Sequence, residues 1–136
     1  DMYNKCLLEM QCCTMFDYIR LLDTRIQRMQ GSDGAKVIKM NFGMAIMALK
    51  AGFPIRRSGW NGKGLMVFKQ VPAHIDSDII PKMQSIPQSA KDLILKGKGF
   101  IDYTSQCLIY NENTGRADSW VPSISDVFAE DWEIVE

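Results

Sequence analysis

Residues 56–64 read Arg56-Arg57-Ser58-Gly59-Trp60-Asn61-Gly62-Lys63-Gly64, bringing two guanidinium groups, an indole and an ammonium into one short stretch. Two readings suit such a set. In the first, a flat ring stacks on Trp60 while Arg56, Arg57 and Lys63 donate to phosphate oxygens. In the second, the stretch is a well-made hairpin with a half-buried tryptophan. Asn61-Gly62 is the strongest short-range signal for a tight type I′ turn, whose two central residues take positive φ. The sequence therefore predicts strands on both sides of that dipeptide.

Further groups suited to binding lie downstream. Trp120, Trp132, Tyr103, Tyr110 and Phe68 offer flat faces, and Lys69 and Arg116 offer more phosphate donors. Asn61, Ser105, Asp118 and Ser119 can read hydroxyls or a base edge. Trp132 is expected in the core. Trp60 and Trp120 each sit beside polar residues at a hairpin end, where ligand contact and core packing are both open.

Catalytic groups are harder to assemble. His74 is the single histidine, no Gly-x-Ser-x-Gly elbow occurs, and Gly62-Lys63-Gly64 is too short for a phosphate-cradling P-loop. Glu130 and Asp131 are neighbours and would point to opposite faces of a strand. Asp126, Asp76 and Asp78 are read as solvated or capping residues. Cys6, Cys12, Cys13 and Cys107 lack zinc-type spacing and are read as reduced thiols. No catalytic residue, metal ligand or cofactor is nominated.

Sixteen basic residues balance sixteen acidic ones, a formal net charge of zero. That speaks against long nucleic acid, which demands a basic face, and leaves room for a small anion held by a local cluster. No apolar run is long enough to span a membrane, and no secretory pattern is expected. The length of 136 residues suits one domain with an appendage.

The elements that must position these groups follow from periodicity. Residues 3–30 read as a helix with apolar positions Leu7, Met10, Phe16, Ile19, Leu22, Ile26 and Met29, followed by a Gly-Ser-Asp-Gly linker at 31–34. Residues 42–51 read as a second helix, capped by Asn41 and ended by Gly52. It is apolar almost all round, so burial on two sides is expected, the second side supplied by a neighbouring subunit. Strands are expected at 55–57 and 65–71, then across 100–110 and 116–121 around a turn at 111–115, and finally at 132–135. Residues 72–98 form an excursion with helical pieces at 76–83 and 87–96, and a short helix follows Ser123. The fold class is α+β: an antiparallel sheet built from hairpins with helices packed on it.

Two separated stretches resemble one family. The first is Met40-Asn41-Phe42-Gly43, Ala48-Leu49-Lys50-Ala51-Gly52 and Arg57-Ser58-Gly59-Trp60-Asn61-Gly62-Lys63-Gly64. The second is Trp120-Val121-Pro122-Ser123 with Asp126-Val127-Phe128-Ala129-Glu130-Asp131-Trp132-Glu133-Ile134-Val135. Together they are similar to the phage-type Thoeris anti-defence sponges of the second class, a family long known only as a domain of unknown function. The resemblance spans residues 40–136 and leaves 1–39 as an extension.

It implies a non-catalytic binder that sequesters cyclic ADP-ribose isomers, the immune signals of Thoeris defence, in the cytoplasm of the bacterial host. It also implies a homotetramer with pockets at subunit boundaries, and in some members a second site for cyclic dinucleotides. On that reading Trp60 stacks a base, Arg56, Arg57 and Lys63 meet phosphates, and Asn61, Ser105 and Trp120 shape the pocket. The competing readings are a nucleotide hydrolase and a structural or interaction module of a phage. Residues 72–98 are longer than in compact members of the family.

Overall fold

Trp132 organises the domain. In a computed structural model describing residues 1–31 and 38–136, its side chain is fully buried among Met40, Met44, Ala45, Leu49, Ile55, Val67 and Ala129. The fold is α+β. A five-stranded antiparallel sheet has the order β6-β5-β2-β1-β7, made of Arg116–Ser119, Cys107–Asn111, Leu65–Lys69, Ile55–Arg57 and Trp132–Ile134. Its register aligns Ile134, Ile55, Val67 and Ile109 in one apolar row across four strands. Cross-strand apolar neighbours of this kind are what stabilise a sheet.

Helix α2 (Phe42–Lys50) packs on β7, β1 and β2. The Asn41 Oδ1 accepts from the Met44 N–H at 2.9 Å, and Gly52 ends the helix at φ 93°. Burial on two sides is not met within one chain. Met44, Ala45 and Leu49 are buried, whereas Met47 is 56% exposed, because the sheet covers only one side of the helix.

The tight turn at Asn61-Gly62 is absent. Among the described residues no non-glycine has positive φ, and the loop glycine that does is Gly64, at 77°. The cause is Asp131. Its carbonyl accepts from Ser58 N–H at 3.0 Å and its Oδ2 from Gly59 N–H at 2.7 Å, which draws the chain after Arg57 towards β7. Strand β1 therefore pairs with β2 only at Ile55↔Val67, and residues 58–64 become an open connection.

The expected strand over 100–110 divides in two. β4 (Ile101–Tyr103) pairs with β3 (Ala73–Ile75) in a separate two-stranded ribbon, while β5 joins β2 in the main sheet. A single straight strand cannot serve both sheets, so the chain changes direction at 104–106. The excursion carries a 3₁₀ turn at Ile80–Lys82 and helix α3 (Gln88–Lys96). Ile80 is fully buried, and the Lys91 ammonium donates to the Pro81 carbonyl at 3.0 Å, which ties the two pieces together.

Helix α4 (Ile124–Val127) begins at a capping box. Ser123 Oγ accepts from Asp126 N–H, and Asp126 Oδ2 accepts from Ser123 N–H. The long helix α1 (Met2–Met29) has no buried residue. The linker expected at 31–34 lies, beyond Gly31, outside the described residues.

Candidate functional site

The loop 58–64 and strand β1 enclose a concavity of about 350 Å³, lined by Arg56, Arg57, Trp60, Lys63, Leu65 and Glu133 among others. Its one aromatic lining residue is Trp60, which is held from behind by the core. The Trp60 ring meets Trp132 edge-to-face at 5.4 Å, and Trp120 meets the same ring in the same way at 6.1 Å. Such T-shaped pairs suit ring quadrupoles and hold both indoles in fixed orientations. Trp60 is therefore half-buried, with its Nε1 donating to Asp126 Oδ1 at 3.1 Å.

Asp126 ties this wall together. Its Oδ1 accepts from Trp60 and from Arg57 Nη1 at 3.0 Å, and its Oδ2 from the Ser123 N–H and hydroxyl. Its carbonyl accepts from Trp132 Nε1 at 3.0 Å. Burial alone would push this carboxyl up. The bonds from Ser123, Arg57 and Trp60 outweigh that and hold its pKa at about 2.

Arg57 is occupied from two sides. Its Nε donates to Asp131 Oδ1 at 2.8 Å and its Nη1 to Asp126, which raises its pKa further. Asp131 is likewise buried enough to be pushed up, yet the Arg57 guanidinium and the Gly59 N–H bring it below the usual carboxylate range. Gly59 makes this possible. A Cβ there would stand 2.6 Å from Asp131 Oδ2. Of the three guanidinium nitrogens of Arg57, Nη2 alone has no hydrogen-bond partner among the described residues.

The cations at the open side are less committed. Glu133 is shared between Lys39 and Arg56, the latter at 3.3 Å, and Lys39 is the main reason its carboxyl lies below its ordinary value. One positive charge is thus in excess there. Lys63 has no ion-pair partner among the described residues, while its carbonyl is anchored by Asn113 Nδ2 at 2.7 Å. The arrangement is an indole wall with two available cations opposite a carboxylate-locked arginine. It can orient a flat, anionic molecule.

Of the residues nominated from sequence, Arg56, Arg57, Trp60 and Lys63 line this one concavity. Asn61 is exposed on the same loop and is not part of the lining. Trp120 packs against the core through Trp132. Ser105 lies in a different recess, beside Pro72, His74, Asp102 and Tyr103. There His74 Nδ1 is 2.5 Å from Asp102 and Nε2 is 3.2 Å from Asp76, and the Asp102 bond raises the imidazole pKa. Sequence reasoning missed Asp126, Asp131 and Glu133 as the residues that hold the cations. The Ser123-x-x-Asp126 spacing signals the cap, but nothing local signals partners some seventy residues away.

Residues 40–135 match the Thoeris anti-defense 2-like domain family. The chain is also 34% identical over 102 residues to the Thoeris anti-defense 2 protein of Bacillus phage SP01, an alignment covering 71% of this chain and 96% of the phage protein. By both measures the chain belongs to the Thoeris anti-defense 2-like family.

Proposed function

We propose that this chain opposes Thoeris defence by binding a cyclic nucleotide signal and holding it unchanged. The observation that carries the reading is the concavity itself: Trp60, Arg56 and Lys63 converge on about 350 Å³, a volume suited to a small ligand. The ligand class is a cyclic ADP-ribose isomer, whose adenine suits an indole and whose pyrophosphate suits Arg56, Lys63 and the remaining Nη2 of Arg57.

Tight sequestration sets a quantitative demand. A nanomolar Kd corresponds to about −12 kcal/mol. One stacked base contributes about 1–3 kcal/mol, and a charge-assisted hydrogen bond about 1.5–3 kcal/mol. The groups of one concavity fall short once ordering costs are subtracted. A second copy closing the open side, in a homo-oligomer such as a tetramer, supplies the remainder. The exposed Met47 side of α2 is one surface on which copies can meet.

The test is calorimetry of the purified chain with cyclic ADP-ribose isomers and cyclic dinucleotides, followed by heating and chromatography of the released ligand. Binding with intact ligand recovered supports sequestration. A converted product identifies a hydrolase instead, and no binding to any of these ligands overturns the reading.

A further inference from the structure

Helix α1 lies outside the residues matched by the family, and seven of its apolar residues have a stricter order than amphipathicity requires. Leu8, Cys12, Met15, Ile19, Leu22, Ile26 and Met29 alternate at spacings of four and three. This is a repeat of 3.5 residues, the period of a left-handed coiled-coil seam. Lys5, Cys12, Ile19 and Ile26 fall at the a positions, and Leu8, Met15, Leu22 and Met29 at the d positions.

The structure leaves that seam uncovered. Leu8, Met15 and Ile19 are each more than half exposed, and Met29 is 82% exposed. The contacts α1 makes with its own domain come from the opposite side. Asp17 accepts from Asn41 Nδ2 at 2.9 Å, Arg20 donates to the Lys39 carbonyl, and Arg28 donates to Glu136 at 2.6 Å. In the heptad these are f, b and c positions. Asp17, Arg20 and Arg28 face home and the 4-3 apolar seam faces out. A helix with nothing buried lacks the tertiary packing that normally sustains helices in water.

We infer that α1 pairs with α1 of a second copy of this chain as a parallel, in-register, two-stranded coiled coil. Ile at a with Leu at d favours two parallel strands. The flanks agree. In register, g residues Asn4, Gln11, Tyr18 and Arg25 face Glu9, Phe16, Asp23 and Gln30 of the second copy, with no like charges across these pairs. Lys5 meets its own counterpart at the first a position, a polar a residue of the kind that sets register at a cost in stability. A membrane surface is a poorer occupant, because it calls for a polar face rich in Lys and Arg. Here four basic residues are mixed with three acidic ones within Met2–Met29. Parallel pairing sets the two anti-defence domains at the same end of the coil, which raises the effective concentration of one for the other.

The pairing places Cys12 against Cys12 of the second copy, while Cys6 and Cys13 fall at outward b positions. The experiment uses three full-length variants, each keeping one of these cysteines with the other two changed to Ser and Cys107 kept throughout. Brief treatment with diamide takes two hydrogens from a pair of thiols and leaves a disulfide, read on a non-reducing gel and located by peptide mass. The chain retaining Cys12 is expected to form a covalent dimer about ten-fold faster than the other two, reflecting the local concentration of paired thiols. Adding Ile19→Asp is expected to abolish that advantage, with the domain's thermal transition retained. Equal rates for the three variants, faster linkage through Cys6 or Cys13, or insensitivity to Ile19→Asp would each overturn the inference. So would retention of the chain on anionic phosphatidylserine vesicles without any Cys12 linkage.

Discussion

Arg57 Nη1 lies 3.0 Å from Asp126 Oδ1, and this ion pair joins strand β1 to the cap of α4 across 69 residues of sequence. Both side chains are largely withdrawn from water, at 19% and 10% exposed. Removing one member leaves the other charged and poorly solvated. Asp126→Ala is therefore expected to destabilise the domain by about 3 kcal/mol, read as a lowered urea midpoint with unchanged slope.

The same carboxylate sets an acid limit. Its folded pKa of about 2 lies below the ordinary value of 3.8, so its contribution is complete above about pH 5. It is lost as pH falls from there through 2, because the unfolded chain takes up the proton first. The loss amounts to about 2 kcal/mol, and it should disappear from the pH–stability curve of Asp126→Asn.

Trp60 separates packing from hydrogen bonding. Trp60→Phe keeps a ring against Trp132 and removes the donor to Asp126, at an expected cost of about 1 kcal/mol. Trp60→Ala also empties the wall and should cost about 3–5 kcal/mol in the same denaturation assay.

Lys63 tests binding apart from folding. It is exposed and makes no ion pair among the described residues, so Lys63→Ala should change stability by less than about 0.5 kcal/mol. Loss of one charge-assisted bond should weaken binding of a cyclic ADP-ribose isomer by about ten-fold or more in calorimetry. Unchanged affinity would remove Lys63 from the site.

His74 bridges Asp102 and Asp76 in the outer ribbon, and its pKa is raised above 6.5, first by the Asp102 bond. Any stability this provides is present below the unfolded pKa and fades as pH rises through the folded one. Imidazole proton shifts followed by NMR should give a midpoint above 6.5 that falls in Asp102→Asn.

Local signals were sufficient for most elements. Asn41 and Gly52 bracket α2, Ser123 opens α4, and Gly97 ends α3, since caps depend on residues only three or four apart. The two-residue turn at Asn61-Gly62 failed because distant Asp131 binds the N–H groups of Ser58 and Gly59, so the chain no longer enters that dipeptide from a strand paired with β2. The strand over 100–110 failed for a related reason. Pairing partners, not propensity, decide which sheet a short β segment joins, and here they lie on opposite sides of residues 104–106.

By itself the sequence determined the α+β class, the family, and the cluster of Arg56, Arg57, Trp60 and Lys63, because these rest on adjacent residues and short-range periodicity. Only the tertiary structure decided which of those cations is available. Arg57 is held by Asp126 and Asp131, and Arg56 shares Glu133 with Lys39, through carboxylates that the sheet brings in from the other end of the chain. It also turned the apolar seam of α1 outward, since the Arg20 and Arg28 contacts with the domain fix which side of the helix faces home. Electrostatic partners are set by distance in space, and distance in space is what residue order does not contain.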